Sequence, residues 1–103
     1  MKIIENLSEF IEEEIEGAET YIKKALKHQT EHPTLAKTLY DISLDEMKHV
    51  DLLHGEVVKV IETYRKEHGE PPASMKAVYD YLHEKQIEKA NKVRMYQNQF
   101  RTM

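Results

Sequence analysis

The chain has 103 residues, 33% of them charged and 40% hydrophobic, with three Gly, three Pro and no Cys. That length fits one domain, residues 1–103, with a core of limited size, and the composition favours long helices over sheet or disorder. A net charge of −4 without a Lys/Arg cluster argues against nucleic acid as a partner, and the lack of cysteine excludes disulfides and thiolate-held metals.

The opening "MKIIENLSEF" turns acidic before any apolar run develops, so no signal peptide is expected. No stretch approaches the ~18 apolar residues that span a bilayer. The expectation is a cytoplasmic protein with no membrane partner.

The first helix is predicted over about 4–30 from its apolar periodicity. It stops at "TEHPTLA", where Pro33 can open the next helix because a first-turn proline loses no intrahelical bond. The second helix is predicted over about 33–67 and ends in "HGEPPAS", a Gly–Pro–Pro stop. "SLDE" at 43–46 mimics a capping box, but the apolar pattern runs straight through it. Gly55 costs this helix ~1 kcal/mol relative to Ala, which so long a helix absorbs. The third helix is predicted over about 73–101. The fold class is therefore all-α: a long antiparallel helical hairpin followed by a C-terminal helix.

On the second helix the apolar stripe reads Leu35, Leu39, Ile42, Glu46, His49, Leu53, Val57, Val60, Tyr64, in steps of three and four. Glu46 and His49 interrupt it at consecutive positions. The first helix reads Ile4, Leu7, Ile11, Glu14, Ala18, Tyr21, Ala25, His28, with Glu14 as the intruder. Its neighbours Glu12, Glu13 and Glu16 fall off the stripe. A short connection implies an antiparallel hairpin, and folding about residue 32 sets residue i opposite roughly 64 − i. Glu14 is then level with His49 and one turn from Glu46.

With 15 Glu and six His, chance alone gives roughly one Glu-x-x-His, so the bare motif is weak. Its convergence with Glu14 in one layer gives it weight. Buried carboxylates need partners, and two glutamates with one histidine supply no fixed positive charge. Two readings stay open here: a metal ion, or a hydrogen-bonded Glu–His contact that fixes helix register. His28 and Tyr64 read as structural residues whose polar tips reach water near the hairpin's loop end. Tyr21 reads as an amphipathic core residue, and Asp45, four residues before His49, as a solvated residue or an acceptor for its ring.

Glu14-x6-Tyr21 followed by Glu46-x-x-His49 resembles half of a ferritin-like di-iron bundle, whose full site takes a Glu from two helices and a Glu-x-x-His from two others. Among that family it is most similar to the encapsulated ferritins, short single-hairpin chains that complete the site by dimerisation. The likeness covers about residues 8–65. It implies a four-helix bundle formed by two hairpins, with Glu14, Glu46 and His49 of each subunit as metal ligands and catalytic residues, and Glu46 as the carboxylate between the metals. It also implies ferroxidase activity with two Fe ions per dimer, Mn or Zn as substitutes, and passage of iron by Glu13 and Glu16. The partner is a second copy, with room for a larger ring or a protein shell.

The sequence departs from that pattern at Thr20, where the family carries tryptophan, and in the tail "QNQFRTM", which has no Gly-rich tether. The third helix does not supply the missing ligands. Its stripe runs Met75, Tyr79, Leu82, Gln86, Ala90, Val93, Phe100, which leaves Glu84 and Glu88 on the other face. The alternative function is a structural or partner-binding helical oligomer in which the polar residues set register without redox chemistry.

Overall fold

A computed structural model describes residues 1–102; Met103, the end of the tail, lies outside the described residues. Three helices follow one another: α1 (Lys2–His28), α2 (Pro33–His68) and α3 (Ala73–Thr102). The molecule is a rod of 56 × 19 × 18 Å, and its long axis matches the ~54 Å expected of α2's 36 residues at 1.5 Å each. No helix among the described residues is long and apolar enough to cross a membrane.

The ends follow local chemistry. Pro33 sits in the first turn of α2, and Arg65, Lys66 and His68 face the negative end of its dipole. Gly69 then turns the chain at φ 78°, where an L side chain is disfavoured, and its N–H donates to the carbonyl of Arg65 at 2.9 Å. α1 begins two residues earlier than the periodicity predicts and ends two residues sooner, since Gln29 to His32 form the turn. The ends of α2 and α3 lie within one residue of expectation.

The core forms where α1 meets α2, from Ile11, Ile15, Ala18, Ile22 and Ala25 against Tyr40, Met47 and Val50, with Ala90 and Val93 of α3 added. Here the structure corrects the expected stripes. The buried residues of α2 are Ala36, Tyr40, Ser43, Met47 and Val50, each one position beyond its expected counterpart. On α1 likewise, Ile15 and Ile22 are buried rather than Glu14 and Tyr21. The interface is built on small residues: Ala18, Ala25, Ala36 and Ser43 have no exposed surface and let the two backbones approach. The larger Leu35, Leu39 and Ile42 dominate the periodicity but lie on the adjoining face, where Leu35 is 46% exposed. Glu46 is therefore half-buried at the edge of the interface and His49 is exposed on its rim.

α3 packs on the hairpin's other side along the expected stripe, with Gln97 as an unexpected member. Ser43 donates its hydroxyl hydrogen to the carbonyl of Ala18 at 2.8 Å and accepts from Gln97 Nε2 at 3.0 Å, so one buried hydroxyl joins all three helices. Gln86 Nε2 donates to Ser8 Oγ at 2.8 Å, and Phe100 stacks on Tyr40 with centroids 4.5 Å apart.

Removing the Ser43 hydroxyl leaves a buried carbonyl and the Gln97 amide without it. Ser43→Ala should cost about 1–3 kcal/mol in urea unfolding. Adding Gln97→Leu should recover part of that loss, because an apolar partner no longer demands a bond; strictly additive losses would show that the network is not coupled.

Candidate metal centre

Glu46 and His49 share a face because residues three apart on a helix are neighbours. The antiparallel register of α1 and α2 carries Glu14 across to them. His49 Nδ1 lies 3.3 Å from Glu14 Oε2, and ligand atoms of Glu14, Glu46 and His49 all fall within 4.8 Å of one another. The three predicted residues thus come together, although at a partly open edge: the side chains of Glu14 and His49 are 29% and 51% exposed.

The electrostatics of this group are those of a carboxyl pair short of positive charge. The Glu46 carboxyl is pushed up to about 7, first by its hydrogen bond to Glu14, then by burial and by the Glu14 charge, with His49 partly offsetting and Asp45 adding. Glu14 is held below the usual carboxylate range, chiefly because it accepts that bond, aided by His49 and opposed by burial. Near neutral pH Glu46 is therefore poised between its protonated and charged forms beside a charged Glu14, as one of two facing carboxyls is. Its only ionic partner among the described residues is His49.

Gly17 is a member of this site that sequence reasoning missed. A Cβ built on it would stand 3.3 Å from Glu46 Oε2, so the bare backbone of α1 provides the space in which that carboxyl lies. A mid-helix glycine three residues past Glu14, and opposite Glu46 in the same register, was the available signal.

Other candidates separate from the group. Asp45 pairs with Lys48 at 3.5 Å on the surface, so its exposed carboxylate is committed to a neighbouring charge. Glu13 and Glu16 are exposed on the acidic face of α1, and Tyr21 is half-buried. His28 packs near His32 with centroids 5.8 Å apart at the hairpin's loop end, whereas Tyr64, expected there too, lies at the other end of α2 beside His68 at 4.9 Å, because an antiparallel hairpin puts the C-terminus of α2 far from its own loop.

Two carboxylates and an imidazole form an O,O,N set suited to Fe, Mn or Zn. Their spacing lets them close on one ion in each chain. The set is also incomplete for a cation of higher coordination number, which leaves positions for further ligands.

The proton on Glu46 must leave before both carboxylates can ligate. Metal affinity should rise nearly tenfold per pH unit below the Glu46 pKa of about 7 and flatten above it. Glu46's folded pKa is raised, so its stabilising contribution to the metal-free protein is complete below the unfolded value of 4.5 and is lost as pH rises through about 7. Glu14 acts oppositely below 4.5. Between pH 5 and 8 the metal-free chain should lose melting temperature, and Glu46→Gln should abolish most of that slope. Gly17→Ala separates fold from site: it should stabilise the metal-free helix by up to ~1 kcal/mol while weakening metal binding, because Glu46 must move aside. Equal metal affinity in calorimetric titrations of the two proteins would remove Gly17 from the site.

Compared with protein-family models, with curated proteins and with solved structures, the chain finds no match.

Proposed function

We propose that this chain is an iron-binding, ferritin-like protein with ferroxidase activity, whose di-iron centre is shared between two subunits. One observation carries the reading: Glu14, Glu46 and His49, from two helices, bring their donors within 4.8 Å at an edge of the molecule rather than in its interior. At an edge the donor group is open to a second copy of the chain, as it would not be in the interior.

The surroundings support the same arrangement. α3 makes its hydrogen bonds to the rest of the chain at Met1, Ser8, Gln29 and Ser43 and its ring–ring contacts at Tyr40 and His54, none of them in the donor group. Leu39, Ile42 and Leu53 flank the donors only half-buried, and Phe10, one turn before Glu14, is 51% exposed. A two-fold contact across this face covers that apolar surface and makes a four-helix bundle of two hairpins. It pools two Glu14, two Glu46 and two His49, so that four carboxylates balance two divalent cations.

In this reading Glu14, Glu46 and His49 would hold the iron, and the ferritin-like pattern would make Glu46 the carboxylate common to both ions. Binding displaces the proton held between Glu46 and Glu14. Iron(II) is the substrate and gives its electrons to O2 or peroxide. The residues hold the two ions side by side, and the apolar flank limits water around them. Exposed Glu13 and Glu16 present charge through which cations approach.

A second reading rests on the shared proton itself. A Glu46–Glu14 bond satisfies both carboxyls without any metal, which suits a helical oligomer whose polar edge selects its register.

Anaerobic titration of metal-free protein with Fe(II), followed by O2 and near-UV absorbance, separates the two. The proposal expects saturation near one iron per chain, a rapidly growing ferric band, a metal-dependent rise in dimer by sedimentation, and loss of all three in Glu46→Ala. Iron that does not bind, or that oxidises no faster than in buffer, would sink the ferroxidase reading. In the register reading Glu46→Leu strengthens the oligomer instead.

A further inference from the structure

The crevice between α2 and α3 holds a second constellation, unrelated to the first donor group. Across its middle, His54 of α2 faces His83 of α3, with ring centroids 4.9 Å apart and planes inclined by 25°. The two rings separate a cavity of about 220 Å³ from another of about 190 Å³, and both imidazoles line both cavities. Packing on either side of the pair is therefore open.

The sequence around the two rings is matched. Asp51-x-x-His54 on α2 and Asp80-x-x-His83 on α3 are the same motif, and the three-residue spacing puts each carboxylate on its histidine's face one turn earlier. Because a short turn joins the two helices, they run antiparallel, and a local two-fold relates the motifs. The imidazoles meet at the centre and the carboxylates lie outside them. Asp80 lines the larger cavity and Asp51 the smaller one. Arg94 approaches Asp51 at 3.9 Å, a loose exposed contact.

We propose that His54 and His83 form a second metal site that takes one divalent cation of the zinc class, with Asp51 and Asp80 as supplementary oxygen donors. Imidazole nitrogens are the donors such ions favour, and two of them with two carboxylates match a four-coordinate cation. Only Glu14, Glu46 and His49 bring three donors within 4.8 Å among the described residues. The second site therefore closes by rotation of the exposed Asp51, Asp80 and His83 side chains and the half-buried His54 about one ion, and the adjoining cavities give room for that rotation. Binding ties α3 to α2 where the two helices otherwise touch through a ring pair and the loose Arg94–Asp51 contact. The site thus has a structural role, independent of electron transfer at the first.

The test uses the full chain carrying Glu46→Ala and His49→Ala, which silences the first donor group and leaves α3's contacts intact. Zinc is titrated against a chromophoric chelator at pH 7.5, and melting is followed by circular dichroism. The expected result is one zinc per chain, with a higher melting temperature in its presence. His83→Ala should weaken binding at least about tenfold and abolish the thermal shift, whereas His83→Cys, which keeps a zinc ligand on the same backbone, should retain both. In the chain with its first site intact, His83→Ala should remove one zinc per chain. Zinc affinity unchanged by His83→Ala, or no binding at micromolar zinc in the silenced background, overturns the proposal. Neither result bears on iron oxidation at Glu46, since those ligands are absent from the titrated protein.

Discussion

Ser43 lies at the point where the three helices meet, and its hydroxyl bonds to Ala18 on α1 and to Gln97 on α3. A hydroxyl fits there because the facing residues are small, and its two partners hold the register of each helix against the others. That register determines the rest. One turn of α2 beyond Ser43 comes Glu46, opposite Gly17; another turn brings His49, opposite Glu14. Sliding α1 by a turn, ~5.4 Å, would leave the two carboxyls apart and the imidazole facing an apolar residue.

From that fixed register the electrostatics follow without further design. Two glutamates brought together at a half-buried edge cannot both carry charge comfortably, so Glu46 holds its proton up to about pH 7. The proton occupies, in effect, the place of a cation, and the free energy that retains it is what any cation would have to overcome. A pair tuned this way titrates near neutrality, where modest changes in acidity alter its protonation.

Much of this was legible in the amino acids. Pro33 and the Gly69–Pro71–Pro72 run marked both breaks, because their effect on backbone dihedrals is local. The juxtaposition of Glu14, Glu46 and His49 was legible too, because a short turn and a helical period leave little freedom in which residues of a hairpin meet. The depth of the donors was not. Periodicity weighs side chains by size, so Leu35, Leu39 and Ile42 outvoted Ala36 and Ser43, although the tightest helix contact needs the smallest residues. Gly17 escaped for the same reason: the space it provides has no side chain to announce it. His54 and His83 sit on different helices, and only the packing of α3 brings their rings together.

The way α3 is attached has its own consequence. Its buried stripe sets two small aliphatics between two glutamines: Gln86, Ala90, Val93, Gln97. Amide bonds to the hairpin are specific in direction but yield little net free energy each, since water competes for the same donors. The hairpin, by contrast, is sealed by isoleucines. Stability is thus divided unevenly along the chain, with α3 the less firmly held of the three helices. Amide protons of α3 should therefore exchange through an opening shallower than global unfolding. The molecule keeps a rigid frame and carries against it a helix whose engagement is adjustable.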